Sequence, residues 1–155
     1  MKNALAEQAH FVNILPPIDI TGGVYSDVFS MADYDHATII VQIGVSAAAF
    51  TKIIVNACDN FTPSTRSALA HTIYKCETAA SDVLGARTAV AAGGTTPSAN
   101  DTIFYVIEVN ADELPAGYPN LELNLTNTSN SVIASALAIL TKGRYTSDQS
   151  PTVLA

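Results

Sequence analysis

Hydrophobic and polar residues alternate with a period of two along most of this chain. In residues 120–127, Leu121, Leu123 and Leu125 alternate with Glu122, Asn124 and Thr126. A strand there places one face in a core and the other in water. Residues 131–140 carry no charge at all, so a helix would have no solvated face, and the segment is short for a fully buried helix. The pattern therefore predicts a second strand, joined to the first as a hairpin by a Thr-Ser-Asn-Ser cluster with turn chemistry. Ile133, Leu137 and Ile139 fall on one side of it, and Val132, Ala134, Ala136, Ala138 and Leu140 on the other. Both sides are apolar and one is mostly small. Such a strand is central to a sandwich or barrel, or is pressed against another subunit.

The same alternation predicts strands over residues 23–31, 36–45, 50–58, 70–78, 86–90 and 101–109, separated by Gly, Pro, Asn and Asp clusters. Residues 1–17 read as an extended arm, because Pro16 and Pro17 stop any regular element there. Residues 144–155 read as a polar, Pro-containing tail after the last strand. The expectation is one all-β domain over residues 1–155. Its body, residues 18–143, is an antiparallel β-sandwich or β-barrel of about eight strands.

Composition narrows the function. Seven Lys plus Arg against fourteen Asp plus Glu give a net charge of −7, which argues against binding nucleic acid or anionic lipid through a basic patch. Hydrophobic residues are 48% and charged ones only 14%, so small, weakly charged side chains cover the surface, as suits large contact areas. The apolar runs fall short of the roughly 20 residues of a membrane span. Residues 1–11, with Glu7, Gln8 and His10, do not make the continuous apolar stretch of a signal peptide. The chain is expected to be made in the cytoplasm. Cys58 and Cys76 are too few for a disulfide framework, lack zinc-site spacing, and are read as ordinary thiols.

Candidate chemistry is sparse. Asp33, Asp35 and His36 have metal-ligand side chains, but Asp is also what a turn between strands carries, and the turn reading is preferred. His10, His36 and His71 have no nucleophile elbow or catalytic cysteine near them. The pairs Gly22-Gly23 and Gly93-Gly94 lack the lysine and helix of a phosphate cradle and read as turns. Asp112 and Glu113 read as a capped loop rather than a glycosidase pair. Asn60, Asn100, Asn124 and Asn127 begin Asn-x-Ser/Thr triplets that composition alone explains. No catalytic residue, metal or cofactor is assigned, and the chain is not read as an enzyme.

The segments "YKCETAASDVLGARTAV", "DTIFYVIEVNADELPAGYPNLELNLTNTSN" and "SVIASALAILTKGRYTSDQSPT" resemble small structural proteins of the head-gene cluster of tailed bacteriophages and prophages, and the opening "NILPPIDITGGVYSDVFSMADYDHATIIVQIG" is similar to the start of the same proteins. The resemblance implies a head auxiliary, decoration or cement protein of the virion, with a β body that assembles on the capsid as trimers. Its implied partners are the major capsid protein or another head protein, and further copies of itself. Pro16, Pro17, Tyr118, Arg144 and Tyr145 are the residues expected at the interface, since Arg and Tyr combine contact area with directed hydrogen bonds. The alternative is a β-sandwich module that binds a host carbohydrate or cell-surface receptor through exposed tyrosines such as Tyr25, Tyr34, Tyr118 and Tyr145.

Overall fold

The computed structural model describes residues 4–143. After a single helical turn at Leu5–Gln8, the chain runs through β1 (His10–Asp19), β2 (Val24–Tyr25), β3 (Phe29–Ser30), β4 (Tyr34–Ser46), β5 (Lys52–Cys58) and β6 (Arg66–Ala68). It continues through β7 (His71–Cys76), β8 (Thr88–Val90), β9 (Ile103–Asn110), β10 (Asn120–Thr126) and β11 (Val132–Gly143). All pairings are antiparallel. The larger sheet has the order β1-β11-β4-β9-β7-β8; the smaller has the order β2-β10-β5-β6, with β3 also on β10. The architecture is a two-sheet sandwich, not a closed barrel.

Alternation sets the core. Leu121, Leu123 and Leu125 of β10 and Ile53 and Val55 of β5 are buried from one sheet. Ile39 and Val41 of β4, Ile103, Tyr105 and Ile107 of β9 and the small side of β11 are buried from the other. Continuous burial on the inner faces with half-exposure on the outer ones is the pattern of two sheets packed face to face.

The hairpin expected over residues 120–140 does not form. Both segments are strands, but β10 pairs with β5 and β11 with β4 and β1, so the connection crosses from one sheet to the other. A period of two fixes which face is buried, not which strand supplies the backbone hydrogen bonds. The crossing is held by side-chain amides: Asn127 Nδ2 donates to the carbonyls of Ile20 (3.0 Å) and Asn130 (2.7 Å), and Asn130 Nδ2 to that of Ala49 (2.9 Å).

From His10 onward the segment is extended but is not an arm. His10–Asp19 is the edge strand of the larger sheet, and Val12, Ile14 and Leu15 are buried in the core. Pro16 and Pro17 are tolerated because an edge strand has one side with no partner, and the register slips on either side of Leu15. The strand read over residues 23–31 is broken into β2 and β3. Between them Ser26 takes over the pairing, its amide donating to Leu123 O (2.8 Å) and its hydroxyl accepting from Leu123 N (2.9 Å).

The glycine pairs do make turns. Gly94 sits at φ +76°, and a Cβ there would lie 2.3 Å from Ile53 O. No other residue fits this close pass, which lets Thr95 bridge to Ile53. Glu113 accepts the Asn110 amide at 2.7 Å, so the acidic pair belongs to a capped turn.

Candidate functional site: the outer faces of the two sheets

The outward residues of the larger sheet line up across its strands. One row runs Asn13, Leu137, Ile40, Val106 and Tyr74, each residue directly opposite the next on the neighbouring strand. Leu137, Ile40, Val106 and Tyr74 are half-buried. The next row on one side carries Phe11, Ile139, Thr38 and Glu108, and on the other side Ser135, Gln42 and Phe104. Phe11 is 41% and Ile133 39% exposed. This face, not the buried one, is where the apolar second side of β11 ends up.

One polar cluster lies at its side. Glu108 accepts from Thr38 Oγ1 at 2.7 Å and lies 2.7 Å from His36 Nε2, while His36 Nδ1 lies 2.9 Å from Asn110 Oδ1. His36 therefore belongs to a strand and not to the turn at Asp33, and its ring is used for cross-strand pairing. Beside the central row the face is grooved. A cleft of about 270 Å³ opens where β1 slips its register, lined by Leu15, Pro17, Gln42 and Ser135 together with Asn13, Leu137 and Ile40 of the central row itself. It continues into a groove of about 620 Å³ past Gly44 and Phe104 to Ala80 and Ser81. Ala80 and Thr102 hold left-handed backbone at the far wall (φ 55° and 54°), the Ala80 amide donating to Thr102 O at 3.1 Å.

The expected interface residues are not brought together. Pro17 lines the groove and Pro16 is exposed beside it. Tyr118 lines a separate hollow of about 320 Å³ with Met31, Leu114 and Pro119. Arg144 and Tyr145 lie outside the described residues. Of the tyrosines expected to be exposed, Tyr25 is 53% exposed but Tyr34 is only 8%, stacked on His10 with ring centroids 5.8 Å apart.

The smaller sheet hides a charge that the sequence pattern placed in water. Glu122 is only 2% exposed. Arg66 covers it with a forked pair of hydrogen bonds, Nε at 2.7 Å and Nη2 at 3.2 Å, and lies 4.7 Å from the centre of the Tyr25 ring. Cys58, directly opposite Arg66 in the ladder, has its thiol pushed up to about 12 by burial and by the Glu122 carboxylate. It is therefore not a nucleophile. Nothing in the local sequence signals this cluster, because its members come from β5, β6, β10 and the start of the chain.

Cys58 and Cys76 are free, buried, and in different sheets. Native protein treated with a thiol reagent without reductant is expected to take no label quickly and two labels once unfolded. Intact mass checks this, and an unfolded chain two hydrogens lighter with no label would contradict it.

His71 is buried at the start of β7. Its Nδ1 faces Leu69 O at 3.0 Å, which can only accept, so Nδ1 carries the hydrogen and Nε2 is left without a partner. Burial lowers its pKa below the usual 6.5. The unfolded chain thus binds a proton on this ring more readily than the folded one, and stability should fall as pH drops below about 6.5, with no cost above it. Asp19 and Asp59, both held near 2 mainly by hydroxyl hydrogen bonds, lose their contribution only in a lower window, beneath their ordinary 3.8. Urea midpoints across pH for wild type and His71→Phe test this. The wild-type decline below 6.5 should flatten in the variant, and identical slopes would contradict the assignment.

The described residues hold no group of three or more His, Cys, Asp or Glu arranged around a common metal position. No described helix is long and apolar enough to cross a membrane.

These features define an all-β sandwich of two antiparallel sheets. No family model matches the chain, and no curated protein matches it. Among solved structures it is similar to the SPBc2 prophage-derived protein YomS, with a TM-score of 0.47 and 14% identity over 84% of this chain and 92% of that one.

Proposed function

We propose that the chain is a virion structural protein, a head auxiliary or decoration protein that acts through multivalent contacts with the major capsid protein or another head protein. The observation that carries this reading is the outer face of the larger sheet. It is broad, nearly uncharged and apolar along its centre, while the strand edges are blunted. β1 carries two prolines and two register slips, and β8 and β6 are only three residues long. A fold that closes its edges and leaves one face unpolarised is suited to lateral packing on a protein surface. The sequence resemblance to head-cluster proteins supplies the setting.

A module binding a host carbohydrate is the second reading, and one observation favours it: Tyr25 is exposed beside Arg66, whose charge Glu122 already offsets. That leaves a neutral, donor-bearing patch next to an aromatic ring.

The test is composition of purified particles by mass spectrometry, followed by adding the purified chain back to particles that lack it. The chain is expected in many copies per particle and should rebind in saturable fashion. Its absence from particles would overturn the proposal. Binding of a host glycan by the purified chain that is lost on Tyr25→Ala but kept on Ile40→Lys would favour the second reading.

A further inference from the structure

We propose that two copies of this chain meet side by side through residues 82–87, the stretch leading into β8 at the edge of the larger sheet, about a two-fold axis passing between Leu84 and Gly85. This lateral contact goes beyond the assembly reading and leaves the outer face of the sheet free.

The stretch is the most open part of the described chain. Residues 82–89 are its longest run of exposed residues, and the run includes two adjacent large apolar side chains, Val83 at 72% and Leu84 at 43% exposure. It is nevertheless held in place. The Gly85 amide donates to Lys75 O at 2.9 Å, and Thr88 pairs with Ile73 in the ladder, so the chain runs antiparallel to β7 with a one-residue slip between the two contacts. Neither a turn nor a bend interrupts residues 82–87. On the side away from β7 the sheet has no further strand.

Charge selects a second copy as the occupant. Asp82 and Arg87 stand at the two ends of the stretch, and no ion pair among the described residues involves either. Arg87 Nη2 reaches Thr72 Oγ1 only at a long 3.4 Å. An acid and a base placed in this way are complementary to the same stretch run backwards. Antiparallel approach puts each Asp82 beside the partner's Arg87, whereas parallel approach would put acid on acid and base on base. The residues between follow the same rule. Reversal sets the bulky Val83 and Leu84 of one copy against the small Ala86 and Gly85 of the other, as an isologous contact requires. Copies that each carry a net −7 repel in most approaches, but here the two charges of each stretch cancel. An unrelated partner would have to carry this pattern in reverse; a second copy already does.

Antiparallel neighbours at a sheet edge are related by a two-fold axis perpendicular to the sheet. The outer faces of both larger sheets therefore stay on one side, and both copies can lie on the same protein surface. Six residues a side fall well short of the ~800 Å² per partner of a standard interface. The contact is accordingly weak between free copies and gains strength where other contacts hold neighbours at high effective concentration.

Sedimentation equilibrium at high protein concentration reads the pairing. The wild-type chain should associate to twice its mass. Asp82→Arg and Arg87→Asp each replace two attractive pairs by two repulsive ones, and each should weaken association at least about 10-fold. Mixing the two variants should restore it, because one then presents two bases and the other two acids. The double variant Asp82→Arg with Arg87→Asp should restore it as well. Both positions are exposed, and circular dichroism verifies that each variant keeps its fold. Independently, Leu84→Cys should cross-link two copies on mild oxidation, whereas Val45→Cys, at a position 72% exposed but away from the stretch, should not. A chain that stays monomeric with no cross-link through position 84, association that survives both single reversals, or a mixture no stronger than the single variants would overturn the inference. Whether the chain binds particles is decided separately, by their composition.

Discussion

A chain lacking residues 1–15 is expected not to fold. The deletion removes most of β1 and with it Val12, Ile14 and Leu15, all in the core at 6% exposure or less. At about 1.5–3 kcal/mol for each fully buried aliphatic side chain, the three together account for roughly 5–9 kcal/mol, the whole stability of many domains. The loss does not stop there. β11 would become the edge strand, with one side of its hydrogen bonding unfilled over most of its length. Such an edge, long and apolar, favours aggregation over a merely weakened monomer. Circular dichroism and thermal melting check this: no cooperative transition is expected, whereas a body that melts like wild type would return residues 1–15 to the status of a dispensable arm. Deleting residues 1–3 alone should leave the transition in place.

The contrast shows what the sequence pattern carries. Strands β4, β5, β9, β10 and β11 were legible because each offers a core face of Ile, Val, Leu or Ala at every second position. β1 was not, because Pro16 and Pro17 signal a break wherever strand neighbours are unknown. Proline is forbidden only where its missing N–H would have a partner, and being at an edge is a property of the sheet, not of the segment. The same reason explains the hairpin that is not one. Turn residues between two alternating runs specify a reversal, and a crossing between sheets is also a reversal.

The site was less legible than the fold. The apolar second face of β11 was visible from Ile133, Leu137 and Ile139, and it does reach the surface; that Ile40 and Val106 extend it follows only from the register of β4 and β9. Tyr118 and the two prolines were chosen as residue types; Tyr118 and Pro17 line different hollows, and Pro16 is exposed beside the second. Glu122 was placed in water because alternation assigns a polar residue to the outer face. It is on that face, but Arg66 arrives from fifty-six positions earlier in the chain to cover it. Pairing over such a separation leaves no local trace.

Arg66→Met is expected to destabilise the fold by about 3–5 kcal/mol, the cost of leaving a buried carboxylate without its partner. The Glu122 side chain is 3% exposed, whereas that of Arg66 is 36% exposed, so the two single substitutions are not equivalent. Without Glu122 the guanidinium can turn to water and keep its stacking on Tyr25. Without Arg66 the carboxylate has no such escape, because β10 holds it between β5 and the strand pieces at its other side. Its other neighbour, the Cys58 thiol at 3.9 Å, is a weak donor. Glu122→Gln should therefore cost less, nearer 1–2 kcal/mol, as a neutral amide keeps an acceptor for Arg66. The double substitution Arg66→Met with Glu122→Leu should recover most of the loss, since replacing both members of a buried pair by apolar residues of similar volume is often neutral. Chemical denaturation of wild type, Arg66→Met, Glu122→Leu and the double variant closes the cycle. A coupling of at least about 2 kcal/mol, with Arg66→Met the worst of the set, is the expected result. Additive effects, or a double variant less stable than Arg66→Met, would show that the pair is an exposed contact of little energetic weight rather than the covered charge described above.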